Sequence, residues 1–236
     1  MMSVGRFCRY ELRTTNLAAA RGFYRDVLPS EFWDCDVSLA PLPESAAAHG
    51  APAHWLGHIG VTDVAATVDR IVALGGQQLG PIERGSDESF QAVLRDPFGA
   101  VLALTSETGV RPRTAVAWHL LHTQDHVRAF ALYADLFAWT ATEVQDLGPE
   151  MGCHQAFSWD ESRLNAGGVA NTARLPHIHP HWLFYFHVPE MEAALATVRA
   201  RGGQVLGPMR TSSGDLVAAC SDPQGAAFGL HSKHTG

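Results

Sequence analysis

The heptapeptides His-Trp-Leu-Gly-His-Ile-Gly, at residues 54–60, and His-Trp-Leu-Phe-Tyr-Phe-His, at residues 181–187, open two similar stretches of this 236-residue chain. Each is followed by a helical pattern that ends in two glycines, Gly75-Gly76 in the first stretch and Gly202-Gly203 in the second. Gln-x-Leu-Gly-Pro then comes at residues 77–81 and 204–208, and Asp-Pro-x-Gly-Ala at 96–100 and 222–226. Blocks that recur in one order, at an offset of 127 or 126 residues, predict a duplicated chain.

A second pair of similar blocks lies upstream of the first pair. Asn16 and Asp125 each open a helical run, and the runs contain Tyr24 and Tyr133 at matching positions. The offset is 109 residues here, so the second half carries about 18 additional residues between positions 141 and 180. We therefore predict one domain over residues 1–108, a linker over 109–113 and a second domain over 114–236.

Local patterns predict the elements of each half. Asn16 and Asp125 are the N-cap residues of the first helix in each half. The glycine pairs are left-handed C-caps of the later helices, and Asp-Pro-x-Gly is a turn into a final strand. Each half is therefore predicted to contain two βαβββ units, which makes the fold class α+β. His54 and His181 precede a tryptophan in both halves, and we expect each to make a structural hydrogen bond at the start of its strand.

Composition excludes several classes of protein. The formal net charge of −7 gives no basic surface for nucleic acid. No apolar run reaches the length of a membrane span, and the N-terminus lacks the apolar core of a signal peptide. Four scattered cysteines form no metal or redox motif: Cys8, Cys35, Cys153 and Cys220. We expect a cytoplasmic protein, a monomer or a homodimer, with a small-molecule ligand and neither a nucleic-acid nor a membrane partner.

The repeated blocks, with Phe23-Tyr24, Leu132-Tyr133 and the two Asp-Pro-x-Gly turns, resemble the vicinal oxygen chelate superfamily. That superfamily includes glyoxalase I, bleomycin-resistance and fosfomycin-resistance proteins, and extradiol dioxygenases. The resemblance covers nearly the whole chain, as two tandem glyoxalase-like domains. It implies that each domain is a curled mixed sheet, shaped like a cup with helices outside and a ligand or metal inside. It does not imply one activity, because this fold carries many functions.

The resemblance also implies which sequence positions would hold the metal-ligating residues. They lie seven residues before the residue that caps each helix and seven after the Asp of Asp-Pro-x-Gly. Those positions, and the matching positions of the second strand-helix pairs, hold Arg9, Leu56, Ala103, Trp118, Leu183 and Gly229. None of these side chains donates to a divalent cation. We expect the metal site of the family to be absent and the protein to use no cofactor. The alternative is a relocated divalent metal bound by His122, His187 and His231.

Strand alternation assigns other side chains to the concave faces. The candidate ligand-binding residues of the first cup are Arg9, Glu11, Arg13 and His58. Those of the second cup are Trp118, His122, Tyr185, His187 and His231. Arg9 is expected either to clamp an anionic ligand or to form an ion pair with Glu11. His122 and His187 are the candidate catalytic residues, with a hydrogen-bonded core pair as the alternative.

Three functions remain open on the sequence. The first is a glyoxalase- or bleomycin-resistance-like protein that binds a small organic ligand in a metal-free cup. The second is a metal-dependent lyase or dioxygenase of the same superfamily with relocated ligands. The third is a non-catalytic association domain. Whether the protein is an enzyme stays open, with a metal-independent lyase or isomerase as the form that catalysis would take.

Overall fold

A computed structural model describes residues 5–85, 88–106, 115–146, 148 and 152–234. The predicted linker, residues 109–113, lies outside these ranges. The α+β class is confirmed, because the described strands form two curled mixed sheets accompanied by a few helices. One sheet has seven strands within residues 7–105, and the other has eight within residues 116–232. No helix in the described ranges is long and apolar enough to cross a membrane.

The strands follow the predicted order with some additions. Those of the first half are β1 (Phe7–Thr14), β2 (Val37–Pro41), β3 (His54–Gly60), β4 (Gln77–Gln78), β5 (Glu83–Arg84), β6 (Phe90–Arg95) and β7 (Val101–Thr105). Those of the second half are β8 (Val116–His122), β9 (Thr140–Asp146), β10 (Cys153–Ser158), β11 (Gly167–Ala170), β12 (His181–His187), β13 (Gln204–Arg210), β14 (Leu216–Ser221) and β15 (Ala227–Ser232). The strands that the second half has in addition are β9 and β10, which lie between α4 and β11.

The helices begin and end where the local signals place them. They are α1 (Leu17–Val27), α2 (Glu44–Ala48), α3 (Val64–Ala73), α4 (His126–Phe137) and α5 (Met191–Ala200). The side chain of Asn16 accepts a hydrogen bond from the backbone of Ala19, and Asp125 caps α4 in the same way, so both predicted N-caps are confirmed. Gly75 and Gly202 follow α3 and α5 with φ of 98° and 84°, the left-handed conformation that glycine adopts without strain.

The four βαβββ copies share one pairing rule, in which the first strand lies parallel to the last. The pairs are β1 with β2, β3 with β7, β8 with β11, and β12 with β15. The first copy is shorter than predicted, because only a short 3-10 turn, Ser30–Asp34, lies between α1 and β2 where the two middle strands would be. Pro29 opens this turn, and it lacks the backbone N–H that a strand donates.

The chain folds into two compact units, and each combines segments from both halves of the sequence. Unit 1 consists of Met1–Arg9, Gly57–Val110 and His119–Trp182. Unit 2 consists of Tyr10–Leu56, Arg111–Trp118 and Leu183–Gly236. Strands β1, β3, β8 and β12 each contribute residues to both.

Each unit has an aromatic core that contains one of the two repeated tryptophans. In unit 1, Trp182 contacts Phe7 edge-on, with a ring-centroid distance of 5.0 Å. In unit 2, Trp55 lies 4.8 Å from Phe186. Both tryptophans are buried, which confirms that they belong to the core rather than to the ligand-binding face.

A chain of hydrogen bonds from Trp to Tyr to Asp crosses each core. In unit 1 the indole N–H of Trp182 donates to Tyr133 at 3.1 Å, and the Tyr133 hydroxyl donates to Asp96 at 2.8 Å. In unit 2 Trp55 donates to Tyr24 at 3.0 Å, and Tyr24 donates to Asp222 at 3.3 Å. These chains explain why tyrosine and the Asp-Pro-x-Gly aspartate recur in both halves of the sequence.

Candidate functional site

Arg9, His58 and Gln91 form a polar cluster in unit 1, which we call the Arg9 cluster. The Nη2 atom of Arg9 lies 3.0 Å from Nδ1 of His58 and 2.5 Å from Oε1 of Gln91. A guanidinium can only donate, so Nδ1 of His58 accepts and the proton of this buried imidazole is at Nε2. Two partners on two strands therefore fix the position of a permanently charged group.

Small side chains line the sheet beside the Arg9 cluster. On β7, Ala103 pairs with His58, and Thr105 pairs with both Gly60 and Gln91. Because side chains alternate along strands, these residues share the face that carries the cluster. Gly60 and Ala103 add little volume to that face, so the polar ends of Arg9, His58 and Gln91 are its main chemical features.

Three imidazoles meet on the other sheet of unit 1 and form what we call the His122 cluster: His122, His154 and His181. The rings of His122 and His181 are stacked, 4.6 Å between centroids with an interplanar angle of 19°. Nδ1 of His122 lies 2.5 Å from Oγ1 of Thr172. The imidazole of His154 packs directly on Gly168. A Cβ atom on residue 168 would lie 1.9 Å from Nε2 of His154.

Burial makes the His122 cluster neutral. Desolvation, together with the nearby His181 and His154, lowers the pKa of His122 to about 3. Burial also lowers the pKa values of His154 and His181. At neutral pH these rings offer lone pairs and N–H groups, and His122 is a weak base rather than a strong proton acceptor.

The paired histidines at the strand starts have the predicted structural role. Nδ1 of His54 bonds the backbone carbonyl of Pro52 at 2.8 Å, and Nδ1 of His181 bonds that of His179 at 2.7 Å. Each histidine thus ties its ring to the carbonyl two residues earlier, which confirms the expected symmetric hydrogen bond. His181 also belongs to the His122 cluster, a role that its position in the sequence does not indicate.

Glu11 and Arg13 form an ion pair with each other in unit 2. The side chain of Glu11 is only 15% exposed, which strengthens its interaction with the guanidinium. Of the two alternatives for Arg9, the ion pair with Glu11 is wrong, because Glu11 pairs with Arg13 and Arg9 binds His58 and Gln91. Alternation alone does not decide between the two arginines, because Arg9 and Arg13 each lie two residues from Glu11 on one face of β1.

Tyr185 lies across the backbone of Gly229 in unit 2. The two residues pair between β12 and β15, and a Cβ at Gly229 would lie 2.3 Å from Cδ1 of the Tyr185 ring. Burial raises the pKa of Tyr185 to about 12, so its hydroxyl stays protonated. Trp118, also in unit 2, is half-buried on β8.

The remaining predicted residues, His187 and His231, are neighbours on β12 and β15. Their ring centroids lie 6.1 Å apart. Nε2 of His231 lies 3.2 Å from Oδ2 of Asp215, a residue in the turn before β14. We call these three residues the His231 cluster.

The structure distributes the predicted residues over both units. Arg9, His58 and His122 belong to unit 1, and the list for unit 2 is Glu11, Arg13, Trp118, Tyr185, His187 and His231. Sequence reasoning missed Gln91, His154 and Asp215. Gln91 and His154 lie on strands whose neighbours only the sheet register reveals. Asp215 follows a glycine turn and resembles an ordinary turn residue.

The positions that would hold a divalent cation do not fit one. Arg9 carries a positive charge, and Ala103 and Gly229 have no donor atom. At Gly229 the ring of Tyr185 fills the space that a longer side chain would need. Among the described residues, no group of three or more His, Cys, Asp or Glu side chains could hold a metal ion. The relocated set His122, His187 and His231 is divided between the two units.

This arrangement of four βαβββ copies, each closed by a parallel pair of first and last strands, has counterparts among known proteins. Residues 115–230 match the family model of the Glyoxalase/Bleomycin resistance protein/Dioxygenase superfamily. This part of the chain belongs to that superfamily. The family predicted from the repeated blocks is thereby confirmed.

Two curated relatives are similar to this chain, one of them over nearly its whole length. CFP32 of Mycobacterium tuberculosis, a glyoxylase by name, is 28% identical over 245 residues, which cover 93% of this chain and 92% of the relative. The anthracycline biosynthesis protein DnrV of Streptomyces peucetius is 31% identical over 132 residues, which cover 50% of this chain and 47% of the relative.

A solved structure shows that the fold, too, extends over the whole chain. The Mn(II)-bound glyoxalase from Novosphingobium aromaticivorans superimposes with a TM-score of 0.63 at 12% identity, covering 98% of this chain and 83% of that one. A protein with this fold can therefore hold a metal ion. In the present chain, the corresponding positions hold Arg9, Ala103 and Gly229, which offer no side-chain ligand to a metal ion.

Proposed function

We propose that this protein binds a small organic anion without a metal, and that the Arg9 cluster holds the anionic group. The observation that carries the proposal is the guanidinium of Arg9, fixed by His58 and Gln91 at the strand position where metal-dependent relatives would place a ligand. In this proposal, the fixed positive charge of Arg9 serves in place of a cation.

The chemistry of the guanidinium supports an anionic ligand. Arg9 uses Nη2 for both described bonds, and a guanidinium has five N–H donors in a planar fork. A carboxylate or an enolate accepts two parallel hydrogen bonds from such a fork. Because Arg9 is half-buried, these charge-assisted bonds are less screened by water than on an exposed surface.

The surroundings support a small and partly apolar ligand. Gly60 and Ala103 are small residues on this sheet face, while His58 and Gln91 offer polar contacts. The net charge of −7 disfavours a polyanion such as nucleic acid. The names of CFP32 and DnrV associate those relatives with the conversion or synthesis of small organic molecules.

A comparison of carboxylates with their neutral amides tests the proposal. Aryl and alkyl carboxylates, beginning with benzoate against benzamide, are screened by thermal shift, and the hits are measured by calorimetry. We expect the carboxylates to bind more tightly than the amides. Arg9→Gln should weaken carboxylate binding by about 10-fold or more, since a hydrogen bond to a charged group contributes about 1.5–3 kcal/mol.

Two further variants serve as controls for the effect of Arg9→Gln on carboxylate binding. Arg84→Gln removes an exposed arginine that pairs with Glu88, and it should leave binding unchanged. Arg9→Lys keeps the charge but not the fork, so it should retain part of the affinity. Equal responses to carboxylates and amides, or equal affinities of the Arg9→Gln and wild-type proteins, would contradict the proposal.

A further inference from the structure

Asp215 orients the imidazole of His231 in unit 2. Its Oδ2 accepts from Nε2 of His231 at 3.2 Å, and its Oδ1 accepts from the backbone N–H of His234 at 2.8 Å. The bond from His234 is the largest cause that holds the pKa of Asp215 below its usual value. An ionised carboxylate can only accept, so Nε2 of His231 carries the proton and Nδ1 holds the lone pair.

That lone pair has no hydrogen-bond partner among the described residues. Nδ1 of His231 is buried, and a buried polar atom without a partner costs about 1–3 kcal/mol. A role in catalysis is one of the explanations for such an atom in a folded protein. The neighbouring ring is that of His187, which is exposed and therefore within reach of a ligand.

The imidazole of His187 is neutral near pH 7, because its surroundings lower its pKa. Burial is the main cause that lowers its pKa, and His231 and Lys233 lower it further. Asp215 is the acidic member of the cluster, and the backbone of His234 is held against it. A neutral imidazole with a carboxylate nearby can take a proton and have the resulting charge offset.

The duplication of the chain shows that the fold does not require these residues. Gly60 pairs with Thr105 in the first half as His187 pairs with His231 in the second. At the offset of 126 residues that relates His231 to Thr105, the position that matches Asp215 is Ser89. The first half therefore builds the same strands without this set of titratable groups.

We propose that His187, His231 and Asp215 form a metal-independent general-base site in the second half of the chain. His187 takes the proton from an acidic C–H bond of a bound ligand, and the electron pair of that bond stays on the ligand as a carbanion or enolate. His231 and Asp215 are positioning residues: Asp215 orients His231 beside His187, and its carboxylate offsets the charge of the imidazolium. Return of the proton to another ligand atom completes an isomerisation, so no further reactant is needed.

Base-catalysed ring opening of 5-nitrobenzisoxazole tests this site without knowledge of the natural ligand. A base removes the ring C–H proton, the C–H electron pair forms the nitrile, and the N–O bond breaks to give a coloured phenolate. We expect the wild-type protein to exceed free imidazole at equal concentration. His187→Asn should lower the rate by about 10-fold or more, within the range that a positioned base contributes.

Asp215 is tested through the pH dependence of the same reaction. Asp215→Asn should lower the rate and move the midpoint of the pH–rate profile downward, because the imidazolium loses a nearby negative charge. Asp215→Glu should restore part of both effects. His49→Asn, a change at an exposed histidine, should leave rate and profile unchanged.

Two outcomes would overturn the general-base site. One is a wild-type rate no greater than that of free imidazole. The other is a His187→Asn protein that reacts as fast as the wild type while its near-ultraviolet circular dichroism remains native. Anion binding at the Arg9 cluster is measured separately by calorimetry, so failure of either proposal is distinguishable from failure of the other.

Discussion

The hydroxyl of Tyr133, on α4 in the second half of the sequence, donates to Asp96 in the Asp-Pro-x-Gly turn of the first half at 2.8 Å. Burial raises the pKa of Asp96, and the hydrogen bonds from Tyr133 and from the backbone of Ala100 and Phe98 oppose that rise. Tyr24 and Asp222 repeat the relationship in unit 2 at 3.3 Å. The tyrosine and aspartate that mark the repeats in the sequence are thus bonded within each compact unit.

Removal of the Tyr133 hydroxyl should destabilise the protein. Tyr133→Phe leaves Asp96 without its side-chain donor and Trp182 without its acceptor, and such buried groups cost about 1–3 kcal/mol when unpaired. Urea unfolding measures the loss of unfolding free energy. Tyr24→Phe is the matched control, and its longer bond to Asp222 predicts a smaller loss. An unchanged stability of Tyr133→Phe would contradict the role assigned to the hydrogen-bond chain.

Acid should destabilise the protein partly through His122. Its pKa of about 3 in the folded state lies below the ordinary 6.5, so between these values the unfolded chain binds a proton that the folded protein does not. The stabilisation is therefore present above pH 6.5 and is lost as pH falls towards 3. It amounts to about 5 kcal/mol at most, for a pKa shift of about 3.5 at about 1.36 kcal/mol per unit.

His122→Asn should flatten the loss of stability between pH 6.5 and pH 3. Buried His119, with a pKa lowered to about 4, keeps part of the dependence. Thermal unfolding midpoints over this pH range provide the measurement, with His49→Asn as the exposed control. A pH dependence as steep in His122→Asn as in the wild type would show that His122 does not contribute.

A methyl group at Gly229 should disturb the face that carries Tyr185. In Gly229→Ala the Cβ would lie 2.3 Å from the Tyr185 ring, so the buried ring must move. We expect a loss of about 1–3 kcal/mol, the usual cost of overpacking. Unfolding by urea and the near-ultraviolet tyrosine signal report the change.

Gly22→Ala is the control for this substitution, because nothing lies within 4 Å of a Cβ at that position of α1. It should stabilise the protein by about 0.5–1 kcal/mol, since alanine favours a helix over glycine. Equal effects of Gly22→Ala and Gly229→Ala would contradict the close approach of Tyr185 to the backbone.

Divalent metals should not stabilise the protein at stoichiometric concentration. A ligand that binds the folded state raises stability by mass action, and the positions held by Arg9, Ala103 and Gly229 supply no donor for a cation. Thermal unfolding with equimolar Mn²⁺, Ni²⁺ or Zn²⁺ should match that in EDTA. A saturable rise in the unfolding temperature, together with metal retained after dialysis, would contradict the prediction.

Local signals in the sequence predicted where several helices begin and end. The N-caps Asn16 and Asp125 and the C-terminal glycine pairs act through bonds and dihedral angles within a few residues. Their outcome therefore does not depend on distant parts of the chain. The first βαβββ copy departs from the pattern because only a short turn separates α1 from β2, and the absence of its two middle strands had no equally clear signal in the sequence.

The candidate site was less accessible to prediction. Alternation along β1 placed Arg9 and Glu11 on one face, but it did not decide which neighbour each side chain reaches. His58 was predicted as a site residue, whereas Gln91, its companion at Arg9, lies 33 positions further along the chain on another strand. Contacts of this kind depend on strand register, which residue spacing alone does not encode.

The sequence by itself determined the duplication, the α+β class, the superfamily and the lack of donors at the metal-ligand positions. Those features follow from residue identity and from interactions between near neighbours. Only the tertiary structure decided that each compact unit combines segments of both halves, that Arg9 binds His58 and Gln91, and that Asp215 orients His231. These relationships join residues far apart in the chain, and they form only when the strands pair and bury their side chains together.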